Sequence, residues 1–400
     1  MNAPIARPTS GLLLMLSALT ALTPLATDVY LAAVPVMAEA FGRTLHDIEL
    51  SISFYLLGFS IGQLLGGPLS DRYGRRRMVL FGLSVFAVGT VMILLSPTLE
   101  MLLAARVLQA LGGGLAVVNT GAIIRDMATG REGAGYMVRV VQVMMIAPLA
   151  APILGMLILK ISNWQMIFVF LLLYACCLIW LFNKHLPETS QYRVRGNLFR
   201  NYGVVLSERR VWGYIASTCA AYAGLLSFIT ASPSVYMGYF GISEGAYPFV
   251  FGGNVLTMVV MSRINLKLLK RYSPGKLVSF GQAVQLTAGV LMVLYALLAE
   301  RMELIPLMIL IMAFMGCHGF IVANSTSSTT EFFPQQAGTA TALIGALGFA
   351  SGGLAGAVVS ASSDGTPLSM VAMMAGGCLL GITLRFINSR TRPAVLSDAD

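Results

Sequence analysis

Apolar runs of about twenty residues follow one another along nearly the whole chain, with only short polar turns between them. A helix needs about 20 apolar residues to cross the hydrocarbon core of a bilayer. Inside that core no water is available to pair with backbone amides and carbonyls, so a spanning segment must satisfy them within itself, as a helix does. Read with that window, the 400 residues resolve into twelve spans, at 11–40, 48–70, 77–95, 100–124, 135–159, 165–183, 211–234, 246–266, 276–299, 303–326, 337–360 and 367–387. The expected fold is an all-α membrane protein of twelve transmembrane helices.

Composition excludes a soluble alternative. Charged residues make up 11% of the chain and hydrophobic ones 57%, with a mean hydropathy of +0.79, whereas soluble domains carry about 25% charged residues. Arg7 ahead of an apolar run could open a signal peptide. That run continues to about Phe41 without an early small-residue cleavage site, so a retained first helix is expected. Cys176, Cys177, Cys219, Cys317 and Cys378 all fall in apolar runs without CxxC spacing, which calls for neither a disulfide framework nor a metal site.

The net charge of +9 could suggest nucleic acid, but the position of the charges explains it better. With the N-terminus in the cytoplasm and the spans alternating, only Arg43, Lys160 and Arg301 of the 26 basic residues face outward, and Arg106 stays within a span. The rest, among them Arg72, Arg75, Arg76, Arg77, Arg125, Arg131, Arg193, Arg195 and Arg392, fall on the inner side. Such a bias is the positive-inside signature of a multi-pass protein. Both termini are expected in the cytoplasm, with no nucleic-acid partner.

The longest polar stretch, 186–210, is basic and divides the chain into an N-terminal bundle of six helices (1–185) and a C-terminal one (211–400). Arg72-Tyr73 after span two recurs as Arg271-Tyr272 after span eight, an echo consistent with the internal repeats of many transporters. Gly58, Gly62 and Gly66 in span two, and Gly348, Gly352 and Gly356 in span eleven, form stripes of small residues that let helix backbones approach closely. Tight static packing is one reading. The other is that these two helices meet across the interface between the halves, where close but slippable contact suits rocking motion.

Ionisable groups in the hydrocarbon cost about 2.5–3.5 kcal/mol at a helix centre on insertion scales, so they mark function by default. Two stand out, Asp28 in span one and Arg106 in span four, whereas Glu39, Asp126 and Glu331 read as lying near span ends. At 1.5 Å per residue, Asp28 lies about 25 Å along a helix of about 45 Å, near mid-bilayer. Burial favours its neutral form and a nearby guanidinium its charged form, which is the switch proton coupling needs; a static buried ion pair is the alternative. Pro24, with Thr20, Thr23 and Thr27, makes this region a polar, deformable notch. Tyr30, Gln109 and Asn119 extend the expected substrate surface, and His318 in span ten is either a further proton site or a structural histidine. Gly112-Gly113-Gly114 lacks the GK[ST] of a phosphate loop, no HExxH occurs, and His46, His185 and His318 are scattered, so no catalytic residue or metal is expected.

After span two the chain reads Gly67-Pro68-Leu69-Ser70-Asp71-Arg72-Tyr73-Gly74-Arg75-Arg76-Arg77. This closely resembles motif A of the major facilitator superfamily, G-x-L-x-D-R-x-G-R-[KR]-x. The resemblance implies that Asp71 faces the N-terminal end of helix eleven and latches the outward-facing state, with Asp126 pairing with the motif's arginines. Arg106-x-x-Gln109 resembles motif B, with Ala110 in place of a glycine. Ala147-Pro148 through Pro152 to Gly155 is similar to motif C of drug antiporters, with alanine where glycine usually precedes the first proline. Asp28-Val29-Tyr30-Leu31, Arg125-Asp126, Trp164-Gln165-x-Ile167-Phe168 and Leu186-Pro187-Glu188-Thr189 are similar to the Bcr/CflA drug-resistance subfamily.

The resemblance implies a drug:proton antiporter of two six-helix bundles, with Asp28 as proton site, no cofactor beyond the proton gradient, and a monomer in the lipid bilayer. The substrate expected is small and amphipathic. A dedicated exporter of a siderophore or other metabolite, with Arg106 binding a carboxylate, stays open, as does a proton-linked metabolite importer.

Overall fold

The computed structural model describes residues 8–128, 130–190, 200–333 and 336–390. Arg7, Arg193, Arg195 and Arg392, counted above on the inner side, lie outside these residues, as does the middle of the linker. Among the described residues twelve helices are long and apolar enough to cross a membrane: α1 (Ser10–Phe41), α2 (Leu45–Tyr73), α3 (Arg75–Leu94), α4 (Leu99–Met127), α5 (Gly135–Ile161) and α6 (Gln165–His185), then α7 (Arg209–Tyr239), α8 (Tyr247–Leu268), α9 (Pro274–Leu298), α10 (Leu304–Thr330), α11 (Ala337–Ala361) and α12 (Leu368–Ser389). A short helix, Arg200–Ser207, sits in the linker. Among the described residues there is no strand.

Helix ends follow the local sequence. Thr44 and Asp47 form a reciprocal capping box at the start of α2, which satisfies two amides that a helix N-terminus leaves unpaired. Thr9 and Thr98 accept from the first turns of α1 and α4 through their hydroxyls. Gly42 ends α1 in the left-handed region, at φ 59°, where a glycine carries no Cβ penalty.

Several spans are broken rather than straight. The first part of α1 stops at Asp28, a 3₁₀ turn follows at Leu31–Ala33, and the helix resumes at Val34. The notch expected near Pro24 is therefore a break just after Asp28. α4 is interrupted at Val118, α5 between Met144 and Ala147, and α10 at Cys317, while α7 ends in a π-helical stretch at Ser234–Tyr239.

The helices that carry the two stripes meet across the interface, as the second reading expects, while most of the stripe glycines seat within their own bundle. A Cβ on Gly58 would lie 2.5 Å from the carbonyl oxygen of Val107, and Gly62 and Gly66 abut Leu111 and Leu115, so the α2 stripe seats α4 of its own bundle. Gly348 and Gly352 abut Tyr222 and Leu226 of α7, again within one bundle. Helices α2 and α11 do meet across the two bundles, through other residues. Ser60 Oγ donates to the carbonyl of Ala346 at 2.8 Å, Phe59 packs edge-on against Phe349 with centroids 4.8 Å apart, and Gly353 fits against Leu57 and the backbone of Ser53. Only Gly356 of the stripes reaches over the seam, touching both Ser53 and Thr230. Within the first bundle the glycines let α2 approach the backbone of α4, whereas the join combines the side chains of Leu57, Phe59 and Phe349 with Gly353 and Gly356.

Candidate functional site

A cavity of about 400 Å³ lies between the two bundles, walled by α1, α2, α4 and α5 on one side and α7, α8, α10 and α11 on the other. Its walls are mostly apolar: Phe59, Phe228, Phe251, Phe349 and Tyr222, together with Met144, Met145, Met258 and Met315. Aromatic rings offer large rigid contact surfaces, and methionine adapts to different shapes. A second cavity of about 280 Å³ shares Thr20, Gln63, Val117, Tyr222 and Phe349 with the first and extends to Gly67, Asp71 and Arg75. The central space thus leads toward the face that carries the arginine-rich α2–α3 turn, called here the basic face. Toward the opposite face Ser53 and Leu57 of α2 pack against Gly353 and Gly356 of α11.

Asp28 is the one charged side chain among the residues lining the central cavity. It is 3% exposed, Thr27 Oγ1 lies 2.7 Å from its Oδ1, and it has no ion-pair partner among the described residues. Thr20, Thr23, Pro24 and Thr27 line the same wall, as the sequence suggests.

Arg106 does not pair with Asp28. It is fully buried outside the lining, and both terminal nitrogens donate to the carbonyl oxygen of Ala26 at 3.2 Å. One of them also donates to Gln109 Oε1 at 2.7 Å, and Gln109 donates in turn to Thr90. The guanidinium lies between the rings of Tyr30 and Tyr55, 4.4 and 4.6 Å from their centroids. Ala26 belongs to the last turn before α1 breaks, where helix carbonyls lack intrahelical donors. The arginine therefore caps the break and is occupied in doing so.

Tyr30, Gln109 and Asn119 likewise lie outside the lining. Tyr30 shares a hydrogen bond with Ser51 at 2.9 Å, and Asn119 Nδ2 donates to the carbonyl of Leu115. All three are 0% exposed and serve packing of the first bundle. His318 does line the cavity, its ring edge-on to Tyr222 at 5.2 Å and its Nδ1 without a partner among the described residues. Asn254, on the wall beside it, also leaves its Oδ1 unpaired; nothing in the sequence spacing singles it out. Of the motif C residues, Pro148 lines the cavity, Pro152 lies within the following helical segment, and Gly155 abuts the backbone of Val29.

At the basic face Arg75 is held between two carboxylates, Asp71 and Asp126, the latter at 3.1 Å. Gly74 makes the turn at φ 102°, ψ 150°, a region that glycine alone occupies readily. Glu188 Oε1 accepts the amide of Arg75 at 2.8 Å and Thr189 donates to Asp126 at 3.1 Å, so the Leu186–Thr189 segment completes the cluster. Arg76 donates to the carbonyl of Asn183 at 2.6 Å, and Arg72 lies over the ring of Tyr73. At the start of α11 the guanidinium of Arg125 lies against Gly338, and Asp71 borders the same cavity as Gly338 and Thr339. Tyr202 of the linker helix donates to the carbonyl of Leu64 at 3.1 Å and borders the same mouth, as does Gly67.

The family model of the Major Facilitator Superfamily matches residues 16–357. The chain belongs to the Major Facilitator Superfamily. It is 29% identical over 385 residues to a bicyclomycin resistance protein homolog of Haemophilus influenzae, covering 94% of this chain and 96% of that protein. A chloramphenicol resistance protein of Pseudomonas aeruginosa is 31% identical over 283 residues, 70% of this chain and 67% of that one. The crystal structure of a D-xylose–proton symporter superposes with a TM-score of 0.76 at 13% identity, covering 98% of this chain and 99% of that chain; at that identity the likeness concerns the fold, two six-helix bundles. As a superfamily member the protein is a multi-pass transporter of small molecules in the lipid bilayer and not an enzyme.

Proposed function

We propose that this transporter expels small amphipathic, drug-like molecules across a bacterial inner membrane in exchange for protons, by alternating access between bundles 1–185 and 211–400. In this reading the basic face is cytoplasmic, both termini lie there, and the chain works as a monomer. The observation that carries the proposal is Asp28: a carboxylate on an apolar, aromatic and methionine-lined cavity, with a hydroxyl beside it and no counter-ion among the described residues. Such a group takes up a proton or a positively charged substrate, and cannot hold both charges at once without competition. The resistance named in the relatives' titles supports the drug class. Arg106, the group a carboxylate-bearing metabolite would need, lies outside the lining, which takes support from a dedicated siderophore exporter.

The test is transport into proteoliposomes under an imposed pH gradient, with ethidium, chloramphenicol and a citrate-based siderophore as probes. One-for-one exchange of a monovalent cation for a proton accumulates it about tenfold per pH unit, since about 1.4 kcal/mol is tenfold in an equilibrium. Asp28→Asn is expected to abolish that accumulation while leaving downhill exchange. Wild-type accumulation by Asp28→Asn would remove Asp28 from the coupling, and movement of the siderophore alone would overturn the drug reading.

A further inference from the structure

The mechanism above leaves one buried carboxylate unused. Glu49 lies one turn into α2, near the face opposite the basic one, and is 0% exposed. Its Oε1 accepts the backbone amide of Ser234, where α7 turns π-helical, at 2.8 Å. Its Oε2 lies 3.2 Å from His46 Nδ1, and His46 Nε2 lies 3.1 Å from Ser363 Oγ in the turn between α11 and α12. One relay of side chains thus stitches α2 of the first bundle to two elements of the second, on the side away from the basic face.

A buried charge persists only where it is paired and hydrogen-bonded, and bonds to an ionised acceptor are roughly twice as strong as neutral ones. Ionised, Glu49 holds both the Ser234 amide and the imidazole. Neutral, it is a weaker acceptor and no longer attracts an imidazolium. The other titratable groups facing the pair are Tyr30 from α1 and Tyr247 from α8 toward Glu49, and Asp47 and Asp364 toward His46. Any parting of α2 from α7 on this face separates Glu49 from Ser234, and any parting of α2 from the α11–α12 turn separates His46 from Ser363.

We propose that Glu49 is a second proton-binding site, distinct from the cavity carboxylate: ionised, it latches the opposite face shut, and a proton taken from the water on that side releases it. Glu49 does not line the central cavity, so its proton and that of Asp28 are drawn from different spaces. The proposal rests on alternating access but not on the role of Asp28.

The test uses the full-length protein in nanodiscs, in a cysteine-free background, with spin labels at Glu39→Cys and Glu244→Cys on either side of the seam. In the parent, the distance distribution is expected to shift to longer separations as pH falls from about 8 to about 5, the range in which histidine and perturbed carboxylates titrate. Glu49→Gln, which mimics the protonated acid, is expected to show the long component at every pH. His46→Asn, at a partly exposed position, is expected to move the midpoint to higher pH, and it carries the test if Glu49→Gln does not fold. A parental pH curve in Glu49→Gln, or an unmoved midpoint in His46→Asn, overturns the proposal. Loss of the pH response in Asp28→Asn together with a parental response in Glu49→Gln would assign it to the cavity carboxylate and overturn the latch.

Discussion

Gly155→Ala adds a single methyl group where α5 crosses α1 one residue beyond Asp28. The obstacle is the carbonyl oxygen of Val29, and the two helices must part by about 1 Å before the new Cβ reaches 3.0 Å, below which real Cβ atoms are essentially never found. Backbone cannot rotate out of the way as a side chain can. Overpacking of this kind costs about 1–3 kcal/mol, and a free-energy change of that size shifts an equilibrium about 5–150-fold. Two readouts are expected to move together: the melting temperature of the purified protein, followed by tryptophan fluorescence, falls by several degrees, and the initial rate of pH-driven ethidium uptake drops at least several-fold. Gly376→Ala is the control, since a Cβ there meets nothing within 4 Å. Parental melting and parental uptake in Gly155→Ala would mean that α1 and α5 do not touch at Val29, and the account of the cavity wall beside Asp28 would fall with it.

Arg106→Lys keeps the charge but not the planar fork that serves Ala26 and Gln109 together; one buried acceptor left unpaired costs about 1–3 kcal/mol, so lower thermal stability is expected, with the pH dependence of the residual transport unchanged. Gly74→Ala forces a Cβ into a backbone region that costs about 1–3 kcal/mol and pushes Glu188 away from the Arg75 amide; reduced melting temperature checks it, and parental stability would contradict the turn geometry.

Hydropathy located the spans well because crossing the membrane is a local, additive demand on twenty residues. α1 runs Ser10–Phe41 and α11 runs Ala337–Ala361, within a few residues of the ranges read from the sequence. The breaks were not legible, because residues such as Val29, Val118 and Cys317 are apolar whether or not the helix continues through them. Depth was legible and direction was not. Asp28 and Arg106 are both buried, yet only the packed structure shows that the arginine is bound to the carbonyl of Ala26 and lies outside the cavity lining. Glu49 was overlooked because a hydropathy window opens α2 near 48, which leaves it looking terminal. The T-x-x-D pattern of Thr44 and Asp47 sets the start at Leu45 and was a usable signal that Glu49 lies a full turn inside. The small-residue stripes announced close approach but not the partner, since both bundles offer one.

The two ways of packing described above divide the molecule into stiff and compliant parts. Where glycine meets backbone, as between α2 and α4, there is no rotamer to change and no slack to take up, so such pairs travel together as one block. Between the blocks the filling is Phe59, Phe349 and Leu57, whose torsions can reset at modest cost. Variants that alter the balance of conformations without unfolding the protein should therefore cluster at these aromatic and leucine positions and be rare at Gly58, Gly62 and Gly66, which face α4.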